Sequence, residues 1–312
     1  MIEPWLVVAP EVRDAVAAGR PVVALESTLI SHGLPYPQNL GVAAASEAAV
    51  RESGAVPATV AIGDGRLRVG LGADELEALA TAPTGSVLKA ARPSLARALA
   101  RRGWAATTVS ATMIAAHAAG IRVFATGGIG GVHRGALAGE AGRPASFDIS
   151  ADLEELARTP VAVVCAGPKA ILDVAATLEY LETRGVPVLT IGQPDLPGFY
   201  ARSSGIASPL SADSVLDAAL VAGIQLTAGL GGILICTPVP AEAALAEDVA
   251  RDGVARAIAD AETAGVAGPA LTPWLLARIA EITDGASIRA NTALIVNDAR
   301  VAGELAGRLA AP

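Results

Sequence analysis

The feature that most constrains the fold is the alternation of short runs rich in valine and isoleucine with longer stretches rich in alanine. Apolar runs that end at a glycine, proline, serine or charge predict buried strands, and the alanine-rich stretches between them predict helices. Strands that alternate with helices form βα units around a largely buried sheet. We therefore expect an α/β fold of three layers (α/β/α), with a central, largely parallel or mixed sheet and a helical C-terminal region, as a single domain over residues 1–312.

The positions of these elements follow from the apolar periodicity. The predicted strands lie at residues 22–27, 59–62, 86–90, 123–126, 161–166, 187–191 and 232–238. The predicted helices lie at residues 38–52, 73–80, 169–184, 212–222, 241–264, 273–282 and 291–309. Residues 136–146 lack periodicity and predict a surface loop. His117 is predicted on a helix and His32 on a loop that could touch a ligand.

Composition and charge narrow the class of protein. Hydrophobic residues make up 52% of the chain and charged residues 17%, which predicts a large apolar core and apolar surface suited to subunit contacts. A net charge of -8 without a basic stripe argues against a nucleic-acid polymer as partner.

No signal-peptide pattern opens the chain and no apolar run is long enough for a membrane span, so we expect a cytoplasmic protein. Cys165 and Cys236 lie in strand-like runs and are predicted to be buried, reduced thiols.

Polar residues that directly follow predicted strands are the first candidates for a ligand site, because ligands in open α/β sheets collect at the carboxyl ends of the strands. Glu26 follows the first predicted strand. A carboxylate in that position is either an acid–base group or a structural hydrogen-bond acceptor. The residues alone leave both interpretations open.

Lysine is rare in this chain, since Lys89 and Lys169 are the only two among 23 basic residues. Arginine replaces lysine on a surface but not where a neutral amine must attack a carbon atom, so both lysines are candidates, although chance retention explains the same count. Lys169 lies at the predicted junction of strand and helix, where the positive end of a helix dipole would favour the neutral amine. Position therefore favours Lys169 as the nucleophile.

A glycine-rich segment, TGGIGGVHRG, follows the predicted strand 123–126 and runs from Thr126 to Gly135. Such a segment lets backbone amides approach a phosphate or carboxylate, and His133 would add a side-chain donor. A purely structural turn is the alternative. The spacing fits neither a Rossmann nor a P-loop motif.

A second polar segment, FDISAD, contains Asp148, Ser150 and Asp152. Ser150 is placed to cap a helix over residues 151–157, which leaves Asp148 ahead of the cap. Asp148 is then either a ligand for a hydrated divalent cation or part of an ordinary capping sequence. No zincin, α/β-hydrolase or thioredoxin motif occurs in the chain.

Five strings taken in order resemble the pseudouridine-5′-phosphate glycosidase family, also called indigoidine synthase A-like: ALESTLISHGLPYPQNL, VPATVAIGDGRLRVGL, ATTVSATMIAAHAAGIRVFATGGIGGVHRG, FDISADLEEL and CAGPKAILD. The resemblance runs over residues 4–309. It implies a homotrimeric enzyme that reversibly splits pseudouridine 5′-phosphate into uracil and ribose 5-phosphate. It also implies a divalent metal, typically Mn²⁺, with Mg²⁺ as another candidate.

By residue match, the resemblance implies that Lys169 is the nucleophile, Glu26 the proton donor and Asp148 the metal ligand. It implies substrate contacts at Lys89, Val109, Ser150, Ala151, Asp152, Thr126, His133 and Asn291. A C–C bond joins base to sugar, so attack by an amine at C1′ and a Schiff base explain the need for lysine better than two carboxylates and water do. Lys89 is then expected to be a permanent cation that binds phosphate or developing charge.

Two features of this chain depart from the pattern of the family. The family usually has an Arg-Asp pair where this chain has Pro93 and Ser94, so phosphate or subunit contacts near Lys89 are expected to differ. The insert at residues 136–146 is expected to alter a lid or the metal shell.

Two other functions fit the same residues and fold. A Schiff-base lyase or aldolase on another sugar phosphate would also use Lys169, and the same fold would suit a non-catalytic accessory protein of a pigment gene cluster.

Overall fold

The structure, a computed structural model, describes residues 4–83, 85–137, 144–266 and 271–310. The strands are β1 Leu6–Val8, β2 Val22–Leu25, β3 Val56–Gly63, β4 Arg66–Val69, β5 Leu88–Ala90, β6 Trp104–Thr107, β7 Val123–Ala125, β8 Ala162–Cys165, β9 Val188–Ile191, β10 Leu210–Ala212 and β11 Ile233–Cys236. The helices are α1 Pro10–Ala17, α2 Thr28–His32, α3 Gln38–Glu52, α4 Ala73–Ala80, α5 Leu95–Leu99, α6 Val109–Ala118, α7 Ala151–Arg158, α8 Val174–Thr183, α9 Val215–Thr227, α10 Glu247–Thr263, α11 Leu271–Ile282 and α12 Ala286–Ala310.

All of these strands belong to one mixed sheet with a parallel centre. Its main path runs β1-β4-β3-β2-β7-β8-β11-β9-β10, and every pair from β3 to β10 along this path is parallel. β4 and β6 pair antiparallel with β3, and β5 pairs parallel with β6. The predicted α/β class, mixed sheet and helical C-terminal region are confirmed. A single domain over residues 1–312 stays a prediction.

Both faces of the central strands are covered, because successive side chains of a strand point to opposite faces. In β2, Val22 and Ala24 belong to one apolar cluster and Val23 and Leu25 to the other. The first cluster includes residues of α1, α6 and α7, and the second includes residues of α3, α9 and α12. The sheet is therefore the middle of three layers.

Two predicted helices were wrong at their starts. Helix 169–184 begins at Val174, because the Asp173 side chain accepts the Ala176 N–H at 3.0 Å and caps α8 there. Helix 212–222 is β10 at its first residue and begins at Val215, capped by Ser214. Both capping residues lie inside stretches whose amino-acid composition favours a helix, so composition did not show where these helices begin.

Most of the other predicted helices and strands are present in the structure but differ from it in where they begin or end. α12 begins five residues before the predicted start at Asn291, and α10 begins at Glu247 instead of residue 241. His117 lies on α6 as predicted, whereas His32 ends α2 and does not lie on a loop. Cys165 and Cys236 are buried thiols, opposite each other in β8 and β11. Of the predicted loop 136–146, residues 138–143 lie outside the described part of the chain.

None of the described helices is long and apolar enough to cross a membrane.

Candidate active site

A cavity of about 650 Å³ opens at the carboxyl ends of β2 and β7. Four of the predicted site residues line it: Glu26, Lys89, Lys169 and Asn291. Glu26 follows β2 and Lys169 follows β8, and both strands pair with β7, whose end adds Gly127 and Gly128 to the lining. Parallel strands bring the residues that follow them to one edge, so the rule used to choose candidates from the sequence places the cavity correctly.

Glu26 follows β2 at the base of this cavity and is 9% exposed. The Thr126 hydroxyl, at the end of the neighbouring β7, donates a hydrogen bond to Glu26 Oε1. The carboxyl group is thereby oriented by a single hydroxyl and still lines the cavity. A buried, oriented carboxyl that reaches a ligand cavity has the geometry of an acid–base group.

Lys169 lies in an irregular segment between β8 and α8 and is half-buried. Its backbone N–H donates to the Ile129 carbonyl at 3.2 Å, which ties the segment to the glycine-rich turn. The turn admits this approach because Gly128 has no side chain: a Cβ there would lie 2.5 Å from the Phe199 ring and 2.9 Å from the Gly167 carbonyl oxygen. Since α8 begins only at Val174, the predicted assistance from its dipole is wrong, and the cavity wall positions Lys169 instead.

Lys89 reaches the same cavity from β5, outside the parallel centre of the sheet. Desolvation lowers the pKa of Lys89 and the positive charge of Lys169 lowers it further, against the opposing effect of Glu26 and Asp152. Lys89 therefore lies close enough to Lys169 for the two charges to interact. The geometry thus leaves both lysines as candidates for the amine that attacks the sugar.

Asp152 joins three backbone segments beside the cavity. Its Oδ1 accepts the Ser110 N–H at 2.9 Å, and its Oδ2 accepts the Gly130 N–H at 3.0 Å. Ser150 Oγ in turn accepts the Asp152 N–H at 3.2 Å, so Ser150 caps α7 as predicted. Gly130 is required at this crossing, because a Cβ would lie 2.3 Å from Ser150 Oγ. Asp152 therefore organises the glycine-rich turn.

The other predicted substrate contacts lie around this cluster. Val109, at the start of α6, is 1% exposed, so its side chain packs in the core. Ala151 begins α7 and is half-buried. Thr126 is 3% exposed and contacts Glu26 beneath the cavity. These residues surround the glycine-rich turn but are not among those that line the cavity.

Asp148 and His133 form a neighbouring group that also lies off the cavity lining. The His133 N–H donates to the Asp148 carbonyl at 3.0 Å, and Val132 pairs with Ile149 in an isolated antiparallel bridge. The Asp148 side chain is exposed, and in the described ranges no three His, Cys, Asp or Glu residues cluster as a metal site would require. One exposed carboxylate fits a hard cation that keeps most of its waters, not a closed cage.

Part of the cavity wall had no counterpart in the candidates chosen from the sequence. Thr272, Pro273 and Leu276 of α11 line it opposite the strand ends, and no motif in that helix indicated this. His32, which was predicted from the sequence as a possible ligand contact, does line the cavity. Its Nδ1 pairs with Ser31 Oγ at 2.8 Å, and burial together with the charge of Lys89 lowers the pKa of its imidazole. A neutral imidazole at this wall can both donate and accept hydrogen bonds.

Comparison with known proteins gives one consistent group of relatives. The family model described as "Indigoidine synthase A like protein" matches residues 11–308. A protein of Paracoccus denitrificans named pseudouridine-5′-phosphate glycosidase is 54% identical over 98% of this chain and 99% of its own length. A protein of the same name from Solibacter usitatus is 53% identical over 97% of this chain and 99% of its own.

Two solved structures share the fold. The prealnumycin C-glycosynthase AlnA, crystallised in complex with ribulose 5-phosphate, superposes with a TM-score of 0.88 at 37% identity and covers 99% of this chain and 98% of its own. An indigoidine synthase A-like protein from Thermotoga maritima superposes with a TM-score of 0.85 at 31% identity and covers 98% of this chain and 97% of its own.

Proposed function

We propose that this chain, which belongs to the pseudouridine-5′-phosphate glycosidase (indigoidine synthase A-like) family, cleaves the C–C glycosidic bond of pseudouridine 5′-phosphate reversibly to uracil and ribose 5-phosphate. The observation that carries the proposal is the cavity in which a buried carboxyl, Glu26, and two lysines, Lys89 and Lys169, meet. An amine and an acid that share one cavity supply both groups needed to open a sugar ring and form a Schiff base.

The proposed mechanism begins with the neutral amine of Lys169, which attacks C1′ while Glu26 protonates the ring oxygen and the C1′–O4′ bond breaks. After attack the nitrogen gives a proton to the Glu26 carboxylate, which restores its lone pair. That lone pair then expels uracil: the C1′–C5 bond breaks, its electron pair stays on the uracil carbon, and that carbon takes a proton. The resulting imine between lysine and ribose 5-phosphate is hydrolysed by water. Glu26 is suited to its part because Thr126 fixes its orientation at the cavity base.

Lys89 is assigned to the phosphate or to the charge that develops at the sugar. Because it lines the same cavity as Lys169, it is also the alternative nucleophile. Asn291, from α12, lies in the opposite wall and is proposed to contact the substrate, as are Val109, Thr126, His133 and residues 150–152 around the glycine-rich turn.

A divalent cation, Mn²⁺ or Mg²⁺, is proposed as the cofactor, with Asp148 as the protein ligand. Its exposed carboxylate is of the oxygen type that such ions prefer. When bound, the ion would offset negative charge on the substrate phosphate. Calorimetric titration of Mn²⁺ into the protein and into Asp148→Asn tests this assignment. Equal binding to the two proteins would contradict it.

A homotrimer is proposed for the assembly and the cytoplasm for its location. Leu216, Leu220 and Ile224 are exposed at a spacing of four residues and form an apolar stripe along α9, which supports subunit contacts. Sedimentation equilibrium measures the assembly directly. A monomer at micromolar concentration would overturn the proposal of a trimer.

The test of function is incubation of the protein and Mn²⁺ with pseudouridine 5′-phosphate while uracil is followed by chromatography. We expect Lys169→Arg to abolish uracil release in a folded protein, and Glu26→Gln to slow it by about 10²–10⁴-fold. Borohydride added during turnover should trap ribose 5-phosphate on the peptide that contains Lys169. An adduct on Lys89 would reverse the roles of the two lysines.

The same assay separates the alternatives. Release of an aldehyde from another sugar phosphate, without uracil release from pseudouridine 5′-phosphate, would indicate a Schiff-base lyase or aldolase. An accessory protein would release neither product, and substitution of Lys169 and Glu26 would leave its biological role intact.

A further inference from the structure

Glu155 is a fully buried carboxylate that the proposed mechanism does not use. It lies on α7 and is 0% exposed. The guanidinium of Arg92 binds both of its oxygens, with Nη2 3.0 Å from Oε1 and Nε donating to Oε2, and the Thr159 hydroxyl also donates to Oε1. A buried charge needs partners of this kind, and the planar fork of arginine matches a carboxylate in a way that lysine cannot.

The arginine of this pair comes three residues after Lys89. It begins the 3-10 helix Arg92–Ser94, and its backbone N–H donates to Ser110 Oγ at 3.2 Å. Ser94 Oγ accepts the Ala91 N–H at 3.0 Å and closes the turn, so Ser94 supplies the cap where the family usually has aspartate. The departure at Pro93 and Ser94 therefore keeps the local turn.

Two side chains of α7, one helical turn apart, bind the backbone and side chain of residues around Arg92. Asp152 binds the Ser110 N–H, and Glu155 binds Arg92. β5, which carries Lys89, is three residues long and pairs only with β6 among the described strands. Among the described strands, β6 alone links Lys89 to β3 and the centre of the sheet, so the contacts made by α7 give a second support to its place in the cavity.

We propose that Arg92 is a positioning residue that acts through Lys89: its ion pair with Glu155 holds the 3-10 helix that follows β5 against α7 and so keeps the Lys89 amine at the substrate cavity. This inference rests on the proposed function. With Lys89 on the substrate phosphate, the contact is made in both ground and transition states, so a misplaced Lys89 weakens substrate binding more than turnover.

The test is a double-mutant cycle on uracil release. We expect the paired variant Arg92→Met/Glu155→Met to raise KM for pseudouridine 5′-phosphate about tenfold with kcat nearly unchanged. In a Lys89→Met background the same pair should change KM no further, because the lysine through which it acts is absent. Arg97→Met is the matched control, since Arg97 is an exposed arginine of α5 without an ion-pair partner in the described ranges.

The paired variant is chosen because Arg92→Met alone would leave a buried carboxylate without its cation and destabilise the fold. Arg92→Lys keeps the charge and should recover only part of the loss. Unchanged KM in the paired variant, or an equal rise of KM in the Lys89→Met background, would overturn the proposal, as would a thermal midpoint so low that the protein is unfolded in the assay.

A measurement without substrate separates this inference from the function on which it rests. The pH profile of amine acetylation at Lys89, followed by mass spectrometry, should move toward that of an ordinary lysine in the paired variant. If the wild-type protein releases no uracil, the function fails, yet the labelling still decides whether Arg92 positions Lys89. An identical Lys89 profile in wild type and variant would reject the positioning.

Discussion

Substitution of Asp152 by asparagine tests the cluster that joins the glycine-rich turn to α6 and α7. The carboxylate accepts two backbone N–H groups, from Ser110 at 2.9 Å and Gly130 at 3.0 Å, and is 6% exposed. Asparagine keeps one acceptor oxygen but turns an NH₂ group toward the other buried N–H. A hydrogen bond to a charged group contributes about 1.5–3 kcal/mol, so Asp152→Asn should lower the free energy of unfolding by about 2 kcal/mol and Asp152→Ala by about 4 kcal/mol.

Urea unfolding followed by circular dichroism measures these differences as a shift of the midpoint at an unchanged m-value. Asp74→Asn is the matched control: Asp74 also lies in the first turn of a helix, α4, but is exposed, so we expect a change within about 0.5 kcal/mol. If Asp152→Asn unfolds at the wild-type midpoint, the carboxylate does not hold the two amides. If only Asp152→Ala lowers the free energy of unfolding, a single hydrogen bond of Asp152 accounts for the whole stabilisation.

Two further predictions concern pH. Because desolvation lowers the pKa of Lys89, the unfolded chain binds this proton more tightly; the resulting penalty on folding begins to fade as pH rises past the lowered value and is gone above the ordinary value of 10.5. Lys89→Met should raise the thermal midpoint at pH 7, with the gain gone above that pH; an equal gain at both would refute the cause. Burial raises the pKa of Asp298 well above its ordinary value, and its contribution to stability is present at acid pH and lost as pH rises through the raised value. Asp298→Asn should flatten that decline in a pH series of thermal midpoints, and parallel curves would contradict the prediction.

The parts of the fold that the sequence predicts best are those with strong local signals. Helices 38–52 and 73–80 have the bounds of α3 and α4, and the strand ends at Glu26 and Thr126 lie where apolar runs stop. β4, with the sequence RLRV, and β6, with WAAT, were missed, because the first is charged and the second reads as helical. Their burial comes from pairing with β3, which no local pattern reveals.

The candidate site likewise contains residues with a local sequence signal and residues that only tertiary contacts reveal. Glu26, Lys169 and Asn291 were chosen correctly as cavity residues from strand ends and motifs. Lys89 was also chosen, but its pKa is lowered first by desolvation and then by the charge of Lys169, eighty positions away, and neither cause is visible in the local sequence. The helix-dipole argument for Lys169 failed because it overlooked Asp173, whose cap starts α8 late. Arg92 with Glu155 and the buried Asp298 left no signal, because a buried ion pair is recognised only from tertiary contacts.

The position of α12 in the chain has a consequence for biosynthesis. This helix packs on β2, β7 and β8 and against α3, yet it follows all of them in sequence. A ribosome adds about 5–20 residues per second, so the apolar face that α12 covers waits on the order of ten seconds between the emergence of β8 and that of the helix. Nascent chains of this protein therefore expose a sheet face longer than most α/β units do, and co-translational chaperones that hold apolar strands should engage it in that interval.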